Sequence, residues 1–257
     1  GLGDVYKRQT GIRGEFWVKA MRYFKDSPYV TDEVVDAFYS CLVEHAEFLI
    51  QMHSPYRYMS NWGVIENHGL FEIGIAMPDE ERRKRYTSIA LEHLEAEARM
   101  QIMGDGVQWE QSPLYHNEVL HCYEDVLILA SRNDIEVPDT ILNAVHKMAC
   151  ADLMWKKPDH KQLLMGDRDD MDIRDYISTA AVLFRDPMLK FGGFPVLDFE
   201  SVWDLGIESA RLYQEIEIQE PDFLSGALSD SGNYYLRDKW GEDGSCLLYT
   251  SPSPRDI

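Results

Sequence analysis

The sequence predicts a mainly α-helical fold made of antiparallel helical hairpins. Apolar residues recur at the three- and four-residue spacing of amphipathic helices over most of the 257-residue chain. Loops rich in Gly, Pro and Asp divide this pattern into helices of roughly 12 to 20 residues, a usual length in globular proteins. Such hairpins build a bundle, a solenoid or an α/α toroid, and no clean repeat period distinguishes the three.

Three helices are expected in the first half of the chain, over residues 31–50, 78–103 and 115–129. Thr31 is a good N-cap for the first, because its hydroxyl can accept a hydrogen bond from a free backbone N–H of the first turn. The second begins with Pro-Asp and two glutamates, whose negative charge favours the N-terminal end of a helix, and it ends at Gly-Asp-Gly.

Three more helices are expected in the second half. One begins at Pro138, a second covers residues 173–184, and a third covers residues 199–216. The character of the sequence then changes near Phe223. The segment LSGALSDSGNYYLRDKW is short, aromatic and alternating, which is typical of β-strands.

Composition and charge exclude several kinds of partner. The formal net charge is −20, so the chain repels nucleic acids and anionic membrane surfaces. No apolar run approaches the roughly 18 residues that span a bilayer. The cysteines lack a CxxC pair, so Cys41, Cys122 and Cys150 are expected to be buried free thiols rather than a disulfide framework.

The two ends of the chain carry related sequences that we interpret as non-native. Residues 246–256 can be back-translated into a DNA strand whose reverse complement encodes GLGDVYKRQ, the first nine residues. A sequencing adapter translated as protein at both ends produces this relation. We therefore expect residues 1–9 and 246–257 to be adapter-derived, and residues 10–245 to be an internal piece of a longer gene.

Two polar stretches stand out within the helical region. NWGVIENHGL contains Asn67 and His68, and DGVQWEQSPLYHNEVL places Tyr115 48 positions after Asn67. Taken alone, Asn-His-Gly and Ser-Pro-x-Tyr-His are ordinary loop or helix-cap features. His116 and His121 do not form a zincin motif, because a spacing of five puts them on different helix faces. No metal site is predicted.

Both stretches, in this order and at this spacing, resemble the helical domain of the heparinase II/III family. These polysaccharide lyases cleave uronic-acid polymers by β-elimination. A third stretch, GDRDDMDIRDYISTAA, also resembles a loop-to-helix segment of the family, although a helix cap with an acidic first turn explains it more simply. The resemblance implies an incomplete (α/α) toroid over residues 10–222 and the start of a C-terminal antiparallel β domain over residues 223–245.

The resemblance also implies catalytic roles. β-Elimination removes the C5 proton beside a uronate carboxylate, so a donor must stabilise the negative charge that develops there. Asn67 is expected to neutralise the carboxylate through its amide, and His68 to add a donor or a positive charge. Tyr115 is expected to act as base and then as acid at the leaving oxygen. In the family, a histidine of the β domain completes the site.

Substrate contacts are expected from residues around these motifs. Trp62 and Trp109 can stack on sugar rings, although core packing explains an aromatic residue equally well. Glu110 and His116 flank Tyr115 in the sequence and are assigned to the substrate-binding set. Arg174, in the third stretch, is a candidate contact for the acidic polymer.

The leading hypothesis is a lyase for a glycosaminoglycan of the heparin or heparan sulfate type. The alternatives are an alginate or oligo-uronate lyase of the same superfamily, a six-hairpin glycoside hydrolase with two facing carboxylates, and a non-catalytic helical scaffold. The expected partner is an acidic polysaccharide, with no nucleic acid or membrane partner.

The piece itself is expected to be inactive, because in the family the β domain closes the site. No cofactor is expected in it. The oligomeric state stays open. The cellular location stays open as well, since members of the family are often periplasmic or secreted and a cytoplasmic location is also compatible.

Overall fold

The computed structural model describes residues 2–167 and 169–250, with side chains from Arg8 onwards. Within these ranges the chain forms ten α-helices, one short 3₁₀ helix and a three-stranded antiparallel sheet. It divides into two compact units: residues 1–100 with 129–141, and residues 101–128 with 142–257. None of the described helices combines the length and apolar character that a membrane span needs.

The first unit is helical and is organised around its third α-helix. Its elements are α1 (Leu2–Phe24), α2 (Asp32–Met52), the 3₁₀ helix (Pro55–Met59), α3 (Asn61–Ala76) and most of α4 (Glu80–Gln101). Thirteen of the 16 residues of α3 are buried, and α1 and α2 both pack against this helix. A helix that is buried on nearly all sides has no solvent-facing side, so its polar side chains need partners within the protein.

Glycines allow α1 and α3 to cross with their backbones in contact. A Cβ atom built on Gly69 would lie 2.2 Å from the carbonyl oxygen of Gly11, and one built on Gly11 would lie 2.7 Å from the carbonyl oxygen of Ile65. No side chain fits at such distances. Gly69, which follows Asn67 and His68 in the motif, is therefore needed for helix packing.

The second unit combines helices with the sheet. Its helical elements are most of α5 (Pro113–Arg132) and α6 (Asp139–Trp155), followed by α7 (Arg174–Phe184), α8 (Pro187–Gly192), α9 (Phe199–Leu205) and α10 (Glu208–Glu215). The largest fully buried side chains of this unit are aromatic, and they are Tyr123, Trp155, Tyr213 and Tyr235.

The sheet is a meander of β1 (Gly226–Leu228), β2 (Asn233–Arg237) and β3 (Cys246–Thr250). Burial alternates along β2, so that Asn233, Tyr235 and Arg237 face inward. Two hydrogen bonds from Arg237 Nη2, both 3.1 Å long, reach the carbonyl oxygens of Met154 and Lys156 at the C-terminal end of α6. This one guanidinium therefore joins the sheet to a helix end.

Most of the predicted helices are confirmed, but several boundaries and elements differ. The predicted helix over residues 199–216 is wrong as a single element, because Gly206 adopts a φ of 86° and separates α9 from α10. Three helices were not predicted, and they are α1, α3 and α8. The strand character near Phe223 is confirmed, with β1 beginning at Gly226.

The segments interpreted as adapter-derived lie partly within these elements. Residues 2–9 belong to α1, and residues 246–250 form β3, which pairs with β2. Their adapter origin concerns the gene and stays a prediction. The cysteines are all free, as predicted, but only Cys122 is buried; Cys150 is partly exposed and Cys41 is exposed.

Candidate active site

Asn67 lies in the buried middle of α3, with its amide fully engaged inside the first unit. Nδ2 donates to the carbonyl oxygen of Gly63, one turn earlier, at 3.0 Å and to Glu97 Oε1 at 2.9 Å. Oδ1 accepts a 3.0 Å hydrogen bond from His93 Nδ1. Because both N–H groups and the oxygen have partners, the orientation of the amide is fixed by α4, which carries Glu97 and His93.

The partner carboxyl of Asn67 is itself unusual. Glu97 is fully buried, and its second oxygen, Oε2, has no hydrogen-bond partner among the described residues. Burial raises the pKa of Glu97 well above its usual range, an effect that the Asn67 hydrogen bond opposes and the nearby charge of Glu66 reinforces. Burial therefore disfavours a negative charge on the acid that holds Asn67.

His68 points into the interior of the first unit. Only 1% of its surface is exposed, and its ring nitrogens lie 3.6 Å from Glu72 Oε1 and 3.9 Å from Glu15 Oε2. Lys19 Nζ contacts the same two residues, at 3.1 Å from Glu15 Oε1 and 3.5 Å from Glu72 Oε1. A direct substrate contact by His68 is not supported by this placement, because the ring belongs to a buried charged cluster between α1 and α3.

Trp62, at the start of α3, is half-buried and lies beside cationic side chains. The guanidinium of Arg57 is 5.5 Å from its ring centroid and that of Arg8 is 5.1 Å from it. Arg57 is itself buried and contacts Glu66 at 3.4 Å. The indole is thus already stacked within the first unit, which limits the ring surface left for a sugar.

Tyr115 lies in the first turn of α5, in the second unit. Ser112 precedes the helix, and its hydroxyl oxygen accepts a hydrogen bond from the Tyr115 backbone N–H at 3.4 Å, while Pro113 occupies the first helical position. Ser112 Oγ also donates to the carbonyl oxygen of Asp167 at 2.6 Å. The cap therefore attaches the loop that contains Asp167 to the start of α5.

The phenol of Tyr115 is held by the same loop. Its hydroxyl donates to Asp167 Oδ2. Asp167 belongs to the Gly-Asp pair that begins the third stretch, GDRDDMDIRDYISTAA. That stretch was expected to be a helix cap with an acidic first turn. The structure instead starts α7 at Arg174 and uses Asp167 as the partner of Tyr115. Arg168, next to it, lies outside the described residues.

Glu110 and Trp109 lie in the tight loop before α5. Gln108 exchanges two hydrogen bonds with Glu110, since its Nε2 donates to Glu110 Oε1 at 3.1 Å and its Oε1 accepts from the Glu110 backbone N–H at 2.9 Å. Gln111 follows with a φ of 53°, a left-handed conformation that is uncommon for a residue with a side chain. Trp109 is 40% exposed and is the better placed of the two predicted tryptophans for stacking on a sugar.

His116 does not reach the surface. It is fully buried, its Nδ1 accepts a hydrogen bond from the Gln108 backbone N–H at 3.3 Å, and its Nε2 donates to the carbonyl oxygen of Met148 at 3.2 Å. Burial lowers the pKa of His116 to about 3, so the ring is neutral. The predicted substrate contact of His116 is not supported; its role here is to join α5, α6 and the preceding loop.

Arg174 is also engaged locally. Its guanidinium pairs with Asp172 at 2.6 Å and covers the ring of Phe194 at 4.3 Å from the centroid. A carboxylate that already neutralises the guanidinium weakens its attraction for a polyanion. Arg174 thus stays a candidate contact only if Asp172 is displaced.

A pocket of about 170 Å³ in the second unit was not predicted from the sequence. Its carboxyl groups come from Glu118, Glu124, Asp125, Asp175, Glu200 and Asp204. Burial raises the pKa of Glu124 well above its usual range and that of Asp175 to about 6, with neighbouring carboxylates adding to both effects. This accumulation of acids repels an acidic polymer, so the pocket is a poor place for the predicted substrate.

Comparison with known proteins decides the family. The sequence profile described as "Heparinase II/III N-terminus" matches residues 7–190. The chain belongs to the heparinase II/III family. Asn67, His68 and Tyr115 all lie within the matched range, and so do Glu97 and Asp167.

Individual relatives of this heparinase II/III chain include two curated proteins, both named heparin-sulfate lyase. The protein of Pedobacter heparinus is 25% identical over 224 residues, an alignment that covers 82% of this chain and 31% of the relative. The protein of Bacteroides thetaiotaomicron is 26% identical over 157 residues, covering 60% of this chain and 22% of the relative. The chain thus spans less than a third of the length of each.

Solved structures have the same fold. A structure of heparinase III aligns with a TM-score of 0.76 at 20% identity, covering 95% of this chain and 37% of that one. A mutant of the heparan sulfate lyase HepC from Pedobacter heparinus aligns with a TM-score of 0.72 at 21% identity, over 95% and 36% of the two chains. The predicted fold class of this family member is confirmed: an incomplete (α/α) toroid with the start of an antiparallel β domain.

The acidic partners of the two motif residues were not predicted from the sequence. Glu97 lies 30 positions after Asn67, and Asp167 lies 52 positions after Tyr115. Neither is marked by its neighbours, since Glu97 is one of several glutamates in α4. The signal for Asp167 in the sequence is the Gly-Asp of the third stretch, which a helix cap explains more simply.

Proposed function

We propose that this chain is part of a polysaccharide lyase that cleaves a glycosaminoglycan of the heparin or heparan sulfate type by β-elimination. The observation that carries the proposal is the family match, which includes both Asn67 and Tyr115. The names of the two curated relatives support the substrate class.

The reaction assigns one task to each of these residues. A base removes the C5 proton of a uronate, electrons move to form the C4=C5 double bond, and the oxygen on C4 leaves with a proton. Charge accumulates on the uronate carboxylate as the proton departs, and a fixed N–H donor stabilises it. Asn67 is the proposed donor, and Tyr115 is the proposed base and acid.

The contacts of Asn67 refine its proposed role. Both N–H groups are used inside the first unit, so a uronate must take the place of Gly63 O or Glu97 Oε1 as an acceptor. Glu97 is the acceptor that a uronate can replace, because it is a side chain whereas the Gly63 carbonyl belongs to the backbone of α3. We assign Glu97 as a positioning residue that fixes the orientation of the amide.

The contact between Tyr115 and Asp167 also positions a proposed catalytic group. Asp167 holds the phenolic hydrogen, which defines where the hydroxyl points. Tyr115 must give up this proton, for which Asp167 is the nearest acceptor, before its phenolate can take the C5 proton and pass it to the leaving oxygen. Asp167 is therefore assigned as the residue that orients Tyr115 before substrate arrives.

The other candidate functions have less support. A glycoside hydrolase needs two carboxyl groups on either side of the scissile bond. Glu66, next to Asn67 in the sequence, is buried against Arg57, and Glu110, in the stretch that contains Tyr115, is hydrogen-bonded to Gln108. An alginate lyase shares the proposed chemistry, and only the choice of polymer separates it from a heparan sulfate lyase.

Ultraviolet absorbance during digestion tests the proposal. Elimination creates a double bond conjugated to the carboxylate, whereas hydrolysis does not. The assay is run with heparan sulfate, hyaluronan and alginate on this chain and on a longer gene product of the length of its curated relatives, of which this chain spans less than a third. We expect a rising signal with heparan sulfate from the longer product and none from this chain.

A matched pair of variants makes the assay specific. Tyr115→Phe removes only the hydroxyl and should abolish the signal. Tyr56→Phe, at a tyrosine that is 84% exposed in the first unit, should leave it unchanged. New reducing ends without ultraviolet absorbance would replace the lyase by a hydrolase, and a signal only on alginate would change the substrate class.

A further inference from the structure

Three side chains of different donor types meet in the second unit, away from the residues assigned above. His146 and Cys150 are one turn apart on α6, and Asp186 immediately precedes α8. One donor atom from each, an imidazole nitrogen, the sulfur and a carboxylate oxygen, all lie within 4.8 Å of one another. The spacing of four along a helix is the one that puts two ligands on the same face.

The backbone brings Asp186 to this place. Arg185 ends α7 in the left-handed conformation, with a φ of 50°, and its N–H bonds back to the carbonyl oxygens of Ala181 and Val182. The chain turns sharply there, so that α8 begins beside α6. A left-handed arginine is uncommon, and the surrounding structure must hold it in that conformation.

The two carboxylate oxygens of Asp186 contact different groups. Oδ1 caps α8 by accepting from the backbone N–H groups of Met188 at 2.8 Å and Leu189 at 3.1 Å. Oδ2 points the other way and lies 2.7 Å from His146 Nε2. The cap fixes the carboxylate, so Oδ2 can serve as a ligand without any loss of the helix cap.

The imidazole is also held from a second side. The ring of Phe184 packs against His146 edge to face, with centroids 5.0 Å apart. This packing restricts the orientation of the imidazole beside Asp186. His146 remains 40% exposed, so an ion can reach it from solvent.

We propose that His146, Cys150 and Asp186 form a three-ligand site for a divalent transition-metal ion, with zinc the best fit, and that water completes its tetrahedron. Nitrogen, sulfur and carboxylate ligands suit zinc, and hard oxygen-seeking ions such as Mg²⁺ would not use the sulfur. With zinc bonds of about 2.0–2.3 Å, ligand atoms in a tetrahedron are about 3.3–3.8 Å apart, so the three atoms need to move by only about 1 Å.

Two other roles for this cluster are less well supported. A reactive cysteine nucleophile needs a lowered pKa, whereas burial and the nearby Asp186 raise the pKa of Cys150 to about 11. A simple His–Asp ion pair explains His146 and Asp186 but gives Cys150 no part. The role of Cys150 is therefore what the experiment must decide.

Cobalt(II) titration of the metal-free protein is the decisive measurement, because cobalt replaces zinc and reports its ligands by absorption. We expect one equivalent to bind with visible bands of a tetrahedral ion and a near-ultraviolet band from thiolate-to-cobalt charge transfer. Cys150→Ser should remove the charge-transfer band. Cys41→Ser is the matched control, since Cys41 is an exposed thiol elsewhere on the chain, and it should keep the band.

A second readout separates loss of the site from loss of the fold. Zinc should raise the melting temperature of the parent protein, as any ligand of the native state does, and His146→Gln should abolish this shift while its metal-free melting temperature stays close to that of the parent. The proposal is overturned if the charge-transfer band persists in Cys150→Ser, if it depends on Cys41, or if no stoichiometric binding occurs. None of these outcomes bears on the lyase assignment.

Discussion

At the scale of single residues, the proposed catalytic groups are each held by a buried or constrained acid. Asn67 is oriented by Glu97, and the hydroxyl of Tyr115 is oriented by Asp167. The motif residues could be identified from the sequence because they lie in short, unusual combinations of residue types. Their partners could not, since a contact between positions 30 or 52 apart depends on how helices and loops pack.

Substitutions at Glu97 test its positioning role, which rests on the proposed lyase activity. Glu97→Gln keeps an oxygen that can accept from Asn67 and should retain kcat within a few-fold. Glu97→Leu removes the acceptor, so kcat should fall on the order of 100-fold, the scale of misplacing a catalytic group, while KM changes little. Glu92→Gln, at an exposed position of the same helix, is the control. Equal kcat in the Gln and Leu variants would contradict the assignment.

His116 provides a test that needs no enzymatic activity. Its pKa is about 3 in the folded chain, against an ordinary value of 6.5, so the unfolded chain takes up the proton first as pH falls. The free energy of unfolding should therefore decline as pH falls below about 6.5, and His116 should account for about 2 kcal/mol of the loss by pH 5.

The measurement compares denaturant unfolding of the parent and of His116→Gln at pH 5 and pH 7. Asp175, whose pKa is raised to about 6, titrates over the same range with the opposite sign, so only the difference between the two proteins isolates His116. The variant should lose less stability than the parent on acidification. Parallel pH profiles would mean that His116 is accessible to protons in the folded chain.

At the scale of elements, periodicity predicted the helices that have one apolar face and missed those that do not. The amphipathic helices α2, α4, α5 and α6 were expected close to where they lie. In α3 nearly every side is buried, so the sequence shows no polar stripe and its Asn-His-Gly looks like a loop. The break at Gly206 was missed because one glycine is compatible with a continuous helix, and only the backbone conformation shows that it ends α9.

The crossing of α1 and α3 gives an element-scale prediction. Gly69→Ala would place a methyl group 2.2 Å from the carbonyl oxygen of Gly11, so the two helices must move apart. We expect the free energy of unfolding to fall by about 1–3 kcal/mol, the usual effect of overpacking. Ser88→Ala, at an exposed position of α4, should stay within about 0.5 kcal/mol of the parent in the same denaturant titration. Equal effects would show that α1 and α3 are not in backbone contact.

At the scale of the whole molecule, the fold matches heparinase III structures, whereas the net charge is unfavourable for binding a polyanion. The likeness to heparinase III structures establishes the fold over 95% of the chain. A formal net charge of −20 is nevertheless a poor match for a polyanion. Any attraction for an acidic polymer must be local, because the average field of the chain is repulsive.

Heparin affinity chromatography tests this balance. We expect the chain to pass through heparin-agarose at physiological ionic strength without retention. Salt screens charges that are farther apart than about 8 Å, and acidic residues outnumber basic ones in this chain. Unmodified agarose is the control for the matrix. Retention that is released by salt would instead show that a basic surface on the chain outweighs its net charge.

The hydrogen bonds from Arg237 to the end of α6 have a consequence for how the second unit opens. The last carbonyl groups of a helix lack partners within the helix, and here a strand residue supplies them. If β2 separated from α6, both carbonyl groups and the guanidinium would lose their bonds at once. Fraying of the helix end and detachment of the sheet are therefore a single cooperative event. Native-state hydrogen exchange should give the amides of β2 and of the last turn of α6 one shared opening free energy.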